Sequence, residues 1–258
     1  MLSYTIVFSL FLVTSTGFPW NEIGRGGRII NGTNVKPGQY PFMVSLQYRS
    51  RHNCGATIVN SCYVLTAAHC VKTVPVQDLS VLAGTITLSS GGNKIAVEKT
   101  IVHEEYNPGD MYRNDIAVVK LVRSLTFDEN IKHISLPEQM KPIVEDLPAT
   151  LIGWGYNYTG GETMDILQEV QLNVYSDEEC RSLHAHKIHD SNVCAGVPNG
   201  GKGQCTNDSG GPLIVNGTQV GIVSWSLKPC AEGPKPGVFT EVSYYADWIT
   251  KMTDGTCT

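Results

Sequence analysis

The sequence lacks long runs of charged residues and has few long apolar runs. Only 17% of its 258 residues are charged, the net charge is −5, and no stretch of five basic residues occurs. A nucleic-acid partner is not expected, because such proteins concentrate Lys and Arg on one face. No apolar run reaches the length that a bilayer span requires, so no membrane partner is expected either.

The main apolar block lies at the amino terminus, at residues 4–13, and small residues follow it. The block is too short to cross a bilayer and is typical of a secretory signal peptide, which we place at residues 1–17. The chain also has eight cysteines, which favour an oxidising compartment. We therefore expect a secreted, extracellular protein.

The body of the chain consists of short strand-like segments separated by Gly, Pro and Asn. The strand candidates are residues 42–46, 81–83, 170–174, 220–223 and 238–242. Many short strands in one chain predict an all-β sandwich or barrel. One helix is expected near the carboxyl terminus, where Tyr245, Trp248, Ile249 and Met252 recur at helical spacing.

Three short motifs carry the chemical signal. Ser209 stands between Asp208 and two glycines, His69 follows the strand-like run 64–68, and Asp115 opens the apolar run 116–119. Asp-Ser-Gly-Gly by itself is ordinary turn composition. A serine hydroxyl becomes a useful nucleophile only beside a base, and a histidine oriented by a carboxylate is such a base.

In this order the motifs resemble the trypsin/chymotrypsin family of serine endopeptidases. The resemblance runs from about Ile29 to Trp248. It implies an all-β fold of two antiparallel six-stranded β-barrels, with the active site between them, a crossover near residues 132–148 and a C-terminal helix. It also implies that Ser209 attacks the scissile carbonyl, that His69 acts as the base, and that Asp115 orients the histidine.

The resemblance further implies an oxyanion hole made by the backbone N–H groups of Asn207 and Ser209. Asn207 departs from the family pattern, which has glycine there in a nearly left-handed conformation. Asparagine enters that region more readily than most other non-glycine residues. We therefore expect a working oxyanion hole and weaker binding of tight-fitting protein protease inhibitors.

Residues 26–32 resemble the family's activation site. This implies a propeptide at residues 18–28, a cut after Arg28 by an activating trypsin-like protease, and a protease domain at residues 29–258. The ammonium freed on Ile29 would pair with Asp208, because a lone buried carboxylate is costly. The sequence therefore predicts a zymogen.

The resemblance assigns the specificity pocket to Gly203, Ser224, Trp225, Ser226 and Gly237. Trypsin-like members carry an aspartate where this chain has Gly203, and the chain offers no charge there for Arg or Lys. A deep uncharged pocket suits large apolar residues before the scissile bond (P1), a chymotrypsin-like preference. Ser226 replaces a usual glycine and keeps an elastase-like preference open. Trypsin-like cleavage ranks third, since nothing indicates that Glu232 reaches the pocket base.

Cysteine spacing does not determine the disulfide pairing. The resemblance implies the pairs Cys54–Cys70, Cys180–Cys194 and Cys205–Cys230. For the remaining two cysteines we propose a bridge Cys62–Cys257 at the end of the terminal helix, with two free thiols as the alternative.

No cofactor and no metal are expected. Trypsin-like members often bind calcium in the loop that matches residues 85–94, but this segment has no Asp or Glu, and hard cations prefer carboxylates. The cluster of His184, His186 and His189 lacks a carboxylate or thiol pattern beyond Asp190.

The expected partners are protein or peptide substrates, the activating protease and protein inhibitors, and the protein is expected to be a monomer. Asn157 and Asn216 lie in glycosylation sequons, which suits a secreted glycoprotein. The rival hypothesis is a catalytically weak homologue that acts as a binding or regulatory protein. It depends on Asn207 and on the altered pocket rim.

Overall fold

The computed structural model describes Met1 and residues 29–257. Apart from Met1, the described residues do not include the predicted signal peptide at 1–17. They also do not include the predicted propeptide at 18–28, which ends at Arg28. Within residues 29–257 the chain forms thirteen β-strands and two α-helices.

The first barrel is closed and consists of six antiparallel strands, which follow the short strand β1 (Thr33–Asn34) in the chain. Their bounds are β2 (Met43–Tyr48), β3 (Arg51–Ile58), β4 (Tyr63–Thr66), β5 (Leu79–Ala83), β6 (Asn93–Val102) and β7 (Ala117–Leu121). They neighbour one another in the order β2–β3–β4–β7–β6–β5, and β5 pairs back onto β2. Apolar side chains such as Val44, Leu46 and Val118 fill its interior and are fully buried.

The second barrel is built from the carboxyl-terminal half of the chain. Its strands are β8 (Pro148–Gly153), β9 (Gln168–Tyr175), β10 (Asn192–Gly196), β11 (Pro212–Val215), β12 (Thr218–Trp225) and β13 (Gly237–Glu241). They follow the order β9–β10–β13–β12–β11–β8, the β8–β9 pairing closes the ring, and β1 adds to β9 outside it. The predicted all-β fold of two six-stranded antiparallel barrels is confirmed.

Residues 122–147 connect the barrels and contain no strand. The connection therefore begins ten residues before the predicted crossover at 132–148, and Pro148 already belongs to β8.

The C-terminal helix α2 (Ala246–Thr253) forms where the apolar spacing predicted it. Ile249 is buried in the core of the first barrel, and Trp248 and Met252 pack against that core. The helix comes from the carboxyl-terminal half of the chain and fastens the carboxyl terminus to the first barrel. No helix within the described residues is both long and apolar enough to cross a membrane.

A second helix, α1 (Asp177–Leu183), was not predicted. It is too short to show an apolar repeat, but its amino end carries a capping signal. The Ser176 hydroxyl accepts a hydrogen bond from the backbone N–H of Glu179, and acidic residues fill the first turn. Both features stabilise the start of a helix.

Four disulfides form in the described chain: Cys54–Cys70, Cys62–Cys257, Cys180–Cys194 and Cys205–Cys230. These are the four pairs proposed above, and no free cysteine remains in residues 29–257. Cys62–Cys257 joins positions 195 residues apart and holds the end of α2 on the first barrel.

Candidate active site

A cavity of about 340 Å³ lies where the two barrels meet. His69 and Tyr112 line it from the first barrel, and Ser209, Trp225 and Asn207 line it from the second. The cavity therefore brings together side chains that are far apart in the sequence.

His69 and Asp115 are joined by two hydrogen bonds. Asp115 Oδ2 lies 2.7 Å from His69 Nδ1, and Asp115 Oδ1 accepts from the His69 backbone N–H at 2.9 Å. The pair forms because β4 and β7 are antiparallel neighbours, so the end of β4 meets the start of β7. Asp115 is fully buried, whereas His69 reaches the cavity.

Asp115 is also held by the second barrel. The hydroxyl of Ser224 donates to Asp115 Oδ2 at 2.6 Å, and the hydroxyl of Thr240 donates to the Asp115 backbone oxygen at 2.9 Å. The resemblance placed Ser224 in the pocket wall, and nothing in the sequence indicates its contact with Asp115. Ser224 lies at an irregularity in the pairing of β12 with β13, between Val223 and Trp225.

Ser209 lies in a tight loop that packs directly on the first barrel. Its backbone oxygen accepts from the N–H of Gly55 at 2.8 Å. Gly210 has φ +76°, and a Cβ there would come within 2.2 Å of the Thr66 hydroxyl, so only glycine fits. Within residues 29–257 the Ser209 hydroxyl makes no hydrogen bond to His69, although both line the cavity; such bonds often shorten only when substrate binds.

The backbone N–H groups of Asn207 and Ser209 donate to no protein acceptor within the described residues. Asn207 has φ 70°, the left-handed conformation expected of this position. Its backbone oxygen accepts from His52 Nε2 at 2.9 Å, and its side-chain Nδ2 donates to the Thr163 hydroxyl at 2.7 Å. These contacts hold Asn207 from both sides.

The contacts of His52 and Thr163 with Asn207 have no signature in the sequence. Burial lowers the pKa of His52 to about 4, so its ring is neutral and can donate through Nε2 while Nδ1 accepts from the Ser45 hydroxyl. Neither residue belongs to a motif, and both reach Asn207 from other parts of the fold.

Asp208 is fully buried beside the candidate nucleophile. Its carboxylate accepts from the backbone N–H groups of Gly155 and Cys205, at 2.8 and 2.9 Å. Burial nevertheless raises its pKa to about 7. Ile29 is also fully buried, and the N–H of Ile30 donates to the oxygen of Gly203 at 3.2 Å, so the start of the predicted protease domain lies against residues 201–203.

The residues predicted to form the pocket fall into two groups. Ser224, Trp225 and Ser226 line the cavity, but Gly203 and Gly237 do not. Gln204, which was not among the predicted pocket residues, lines the cavity and is 3% exposed. The Gln204 side chain occupies the space beside the glycine at position 237.

The cavity is uncharged except for one cation. Among the described residues that line it none is acidic, and Lys228 lies at its edge with Nζ 3.2 Å from the Thr206 hydroxyl. Glu232 is exposed and does not line the cavity.

The three clustered histidines contact backbone oxygens and Trp225. His184 Nε2 donates to the backbone oxygen of Pro236, His189 Nε2 donates to that of Asp110, and His186 lies edge-on to Trp225. The cysteines that lie near His69 and His184 are all in disulfides and offer no thiolate to a metal.

The comparisons with known proteins agree with this geometry. Residues 29–249 match the family model described as Trypsin. The chain is 42% identical to Trypsin-1 of Astacus astacus over 236 residues, which is 86% of this chain and 98% of the relative. It is 32% identical to Trypsin of Phaedon cochleariae over 259 residues, or 98% of this chain and 100% of the relative.

A third relative is longer than this chain. Transmembrane protease serine 11C of Mus musculus is 36% identical over 239 residues, which is 90% of this chain but 55% of the relative. The match to the family model covers most of the chain, and two relatives are matched over nearly their whole length. This chain belongs to the trypsin family and is a serine endopeptidase.

Proposed function

We propose that the protein is a secreted serine endopeptidase, made as a zymogen, in which Ser209, His69 and Asp115 act as nucleophile, base and orienting carboxylate. The observation that carries the proposal is the doubly hydrogen-bonded His69–Asp115 pair on the wall of the cavity that Ser209 also lines. The carboxylate fixes the imidazole with Nδ1 protonated, so Nε2 can accept the serine proton and later donate it to the leaving amine.

Two backbone donors complete the proposed reaction centre. The N–H groups of Asn207 and Ser209, which have no protein acceptor in the described chain, would stabilise the oxyanion of the tetrahedral intermediate. Removing one such donor costs about 3 kcal/mol in a related enzyme. The left-handed Asn207 supplies its donor without glycine, because its backbone and side chain are both hydrogen-bonded.

Activation would proceed by a cut after Arg28, made by a separate trypsin-like protease. The buried Asp208 carboxylate has two backbone N–H partners, yet burial still raises its pKa. A new ammonium on Ile29 would supply the cation that a buried carboxylate needs. Because Ile30 already lies against Gly203, we propose that the freed terminus moves only a short distance.

The proposed substrates are proteins and peptides with an uncharged P1 residue. The relatives named trypsin favour the alternative, cleavage after Arg or Lys. However, a cationic P1 side chain would meet Lys228 and no acidic group among the described residues of the cavity. An uncharged pocket accepts large apolar residues where it is deep, as in chymotrypsin-like members, and small residues where it is shallow, as in elastase-like members.

Covalent labelling tests the proposal. Material cut after Arg28 is treated with an organophosphonate, with a Ser209→Ala variant as the control. Stoichiometric labelling of wild type at Ser209, and none of the variant, is expected. A properly folded, correctly cut wild-type protein that takes no label would instead support the rival hypothesis of a non-catalytic binding protein.

A further inference from the structure

The side chain of Gln204 extends from the loop before Ser209 to the backbone of two strands. Its Nε2 donates to the oxygen of Trp225, at the end of β12, at 2.8 Å, and lies 3.5 Å from the oxygen of Val238 in β13. Gln204 is 3% exposed. It therefore forms a fixed link across the space between the loop and the strand pair.

The Gln204 carboxamide also occupies the space above Gly237. A Cβ placed on Gly237 would come within 2.5 Å of Gln204 Oε1 and 2.7 Å of Cδ. A side chain at position 237 would therefore collide with the glutamine, and Gly237 itself does not line the cavity. This contact explains why Gln204 lines the cavity while Gly237 does not.

From these contacts we infer that Gln204 is a specificity-determining residue, which closes the lower part of the substrate pocket and restricts P1 to short, uncharged side chains such as Ala, Ser or Val. The inference rests on the proposed function. A long apolar P1 side chain would have to displace a carboxamide that is hydrogen-bonded in the interior. A cationic one would meet Lys228, and the described part of the cavity has no acid. A short side chain needs neither the lower pocket nor a charge.

The test compares three peptides that differ only at P1, with Ala, Phe or Arg, on protein cut after Arg28. We expect kcat/KM for the Ala peptide to exceed that for the Phe peptide by about tenfold or more, since pocket fit discriminates by such factors. Shortening the side chain in Gln204→Ser should raise the Phe-to-Ala ratio of kcat/KM by about tenfold or more. Gln204→Met, which retains the length of the side chain, should retain the wild-type ratio.

Two results would overturn the inference: a wild-type protein that cleaves the Phe or Arg peptide at least as well as the Ala peptide, or a Gln204→Ser variant with an unchanged ratio. If Gln204→Ser does not fold, the kcat/KM values of wild type for the three peptides decide whether the inference holds. Organophosphonate labelling of Ser209 separates the two proposals. A labelled enzyme that prefers Phe contradicts only the inference about Gln204, whereas an unlabelled protein that cleaves no peptide contradicts the proposed function.

Discussion

Ser224 donates a 2.6 Å hydrogen bond to Oδ2 of Asp115, the same oxygen that lies 2.7 Å from His69 Nδ1. Because Asp115 is fully buried, the contacts with Ser224 and His69 replace the water that its carboxylate would otherwise bind. Ser224 in the second barrel thus positions a carboxylate of the first.

Removing the Ser224 hydroxyl should weaken this positioning. In Ser224→Ala, Asp115 Oδ2 loses one donor, and hydrogen bonds to charged groups are worth about 1.5–3 kcal/mol. We expect kcat to fall about tenfold or more with a much smaller change in KM, because substrate-binding contacts remain. Steady-state kinetics measure both constants, and thermal unfolding serves as the check on folding. A change in KM with kcat unaltered would show that Ser224 acts only as pocket wall.

The Asn207–Thr163 hydrogen bond leads to a prediction about inhibitors. The Asn207 carboxamide is anchored at the edge of the cavity, where a tight-fitting protein inhibitor would have to pack. In Asn207→Gly the side chain is gone and the positive φ is kept without strain. We expect protein inhibitors to bind about tenfold or more tighter, with peptide turnover changed less.

Thr163→Val provides the matched control, because it removes the hydroxyl and retains the Asn207 side chain. Inhibition constants for one protein inhibitor against wild type and both variants are compared. If Asn207→Gly leaves inhibitor affinity and turnover unchanged, Asn207 has no part in inhibitor sensitivity.

The buried Asp208 should make the uncut protein less stable as pH rises. Its pKa rises from 3.8 in the unfolded chain to about 7 in the folded one, so the unfolded state loses its proton first. Its contribution to stability is therefore present below about pH 4 and is lost as pH rises through about 7. At ~1.4 kcal/mol per pKa unit the loss approaches ~4 kcal/mol.

Urea unfolding of uncut wild type and uncut Asp208→Asn, between about pH 4 and about pH 8, isolates this contribution, since His52 titrates equally in both. The free energy of unfolding of wild type relative to the variant should fall across this range. The fall should be smaller after the cut at Arg28, when the Ile29 ammonium can pair with the carboxylate. If the difference in unfolding free energy between uncut wild type and uncut Asp208→Asn does not change with pH, the proposal that Asp208 is a buried carboxylate without a cationic partner is wrong.

The Cys62–Cys257 bridge should contribute to stability through the loop it closes. It joins positions 195 residues apart and holds the end of α2 on the first barrel. The paired variant Cys62→Ser with Cys257→Ser should lose about 2–5 kcal/mol of unfolding free energy. Denaturant titration measures this loss, and mass spectrometry before and after reduction of the wild type confirms that the bridge forms. An unaltered unfolding midpoint in the paired variant would mean that packing alone fixes α2.

Local patterns in the sequence predicted an all-β chain, five strand segments and α2. The two-barrel arrangement and the triad roles were implied by the family resemblance, and long-range contacts supply the rest. Short apolar runs and the spacing of Tyr245, Ile249 and Met252 reflect local periodicity, so strands and α2 were predictable. The contact between Ser224 and Asp115, and the position of Gln204 over Gly237, depend on packing between distant segments. The sequence shows that a glycine stands at position 237, but it does not show that the Gln204 side chain fills the space above that glycine.

We propose that Ser209 performs peptide hydrolysis with His69 as its base. The most direct measurement is the rate of peptide hydrolysis by wild type and Ser209→Ala, each cut after Arg28 and each shown to be folded. We expect kcat of the variant to fall by about 10⁴-fold to 10⁶-fold. Hydrolysis by Ser209→Ala at the wild-type rate would contradict the proposal.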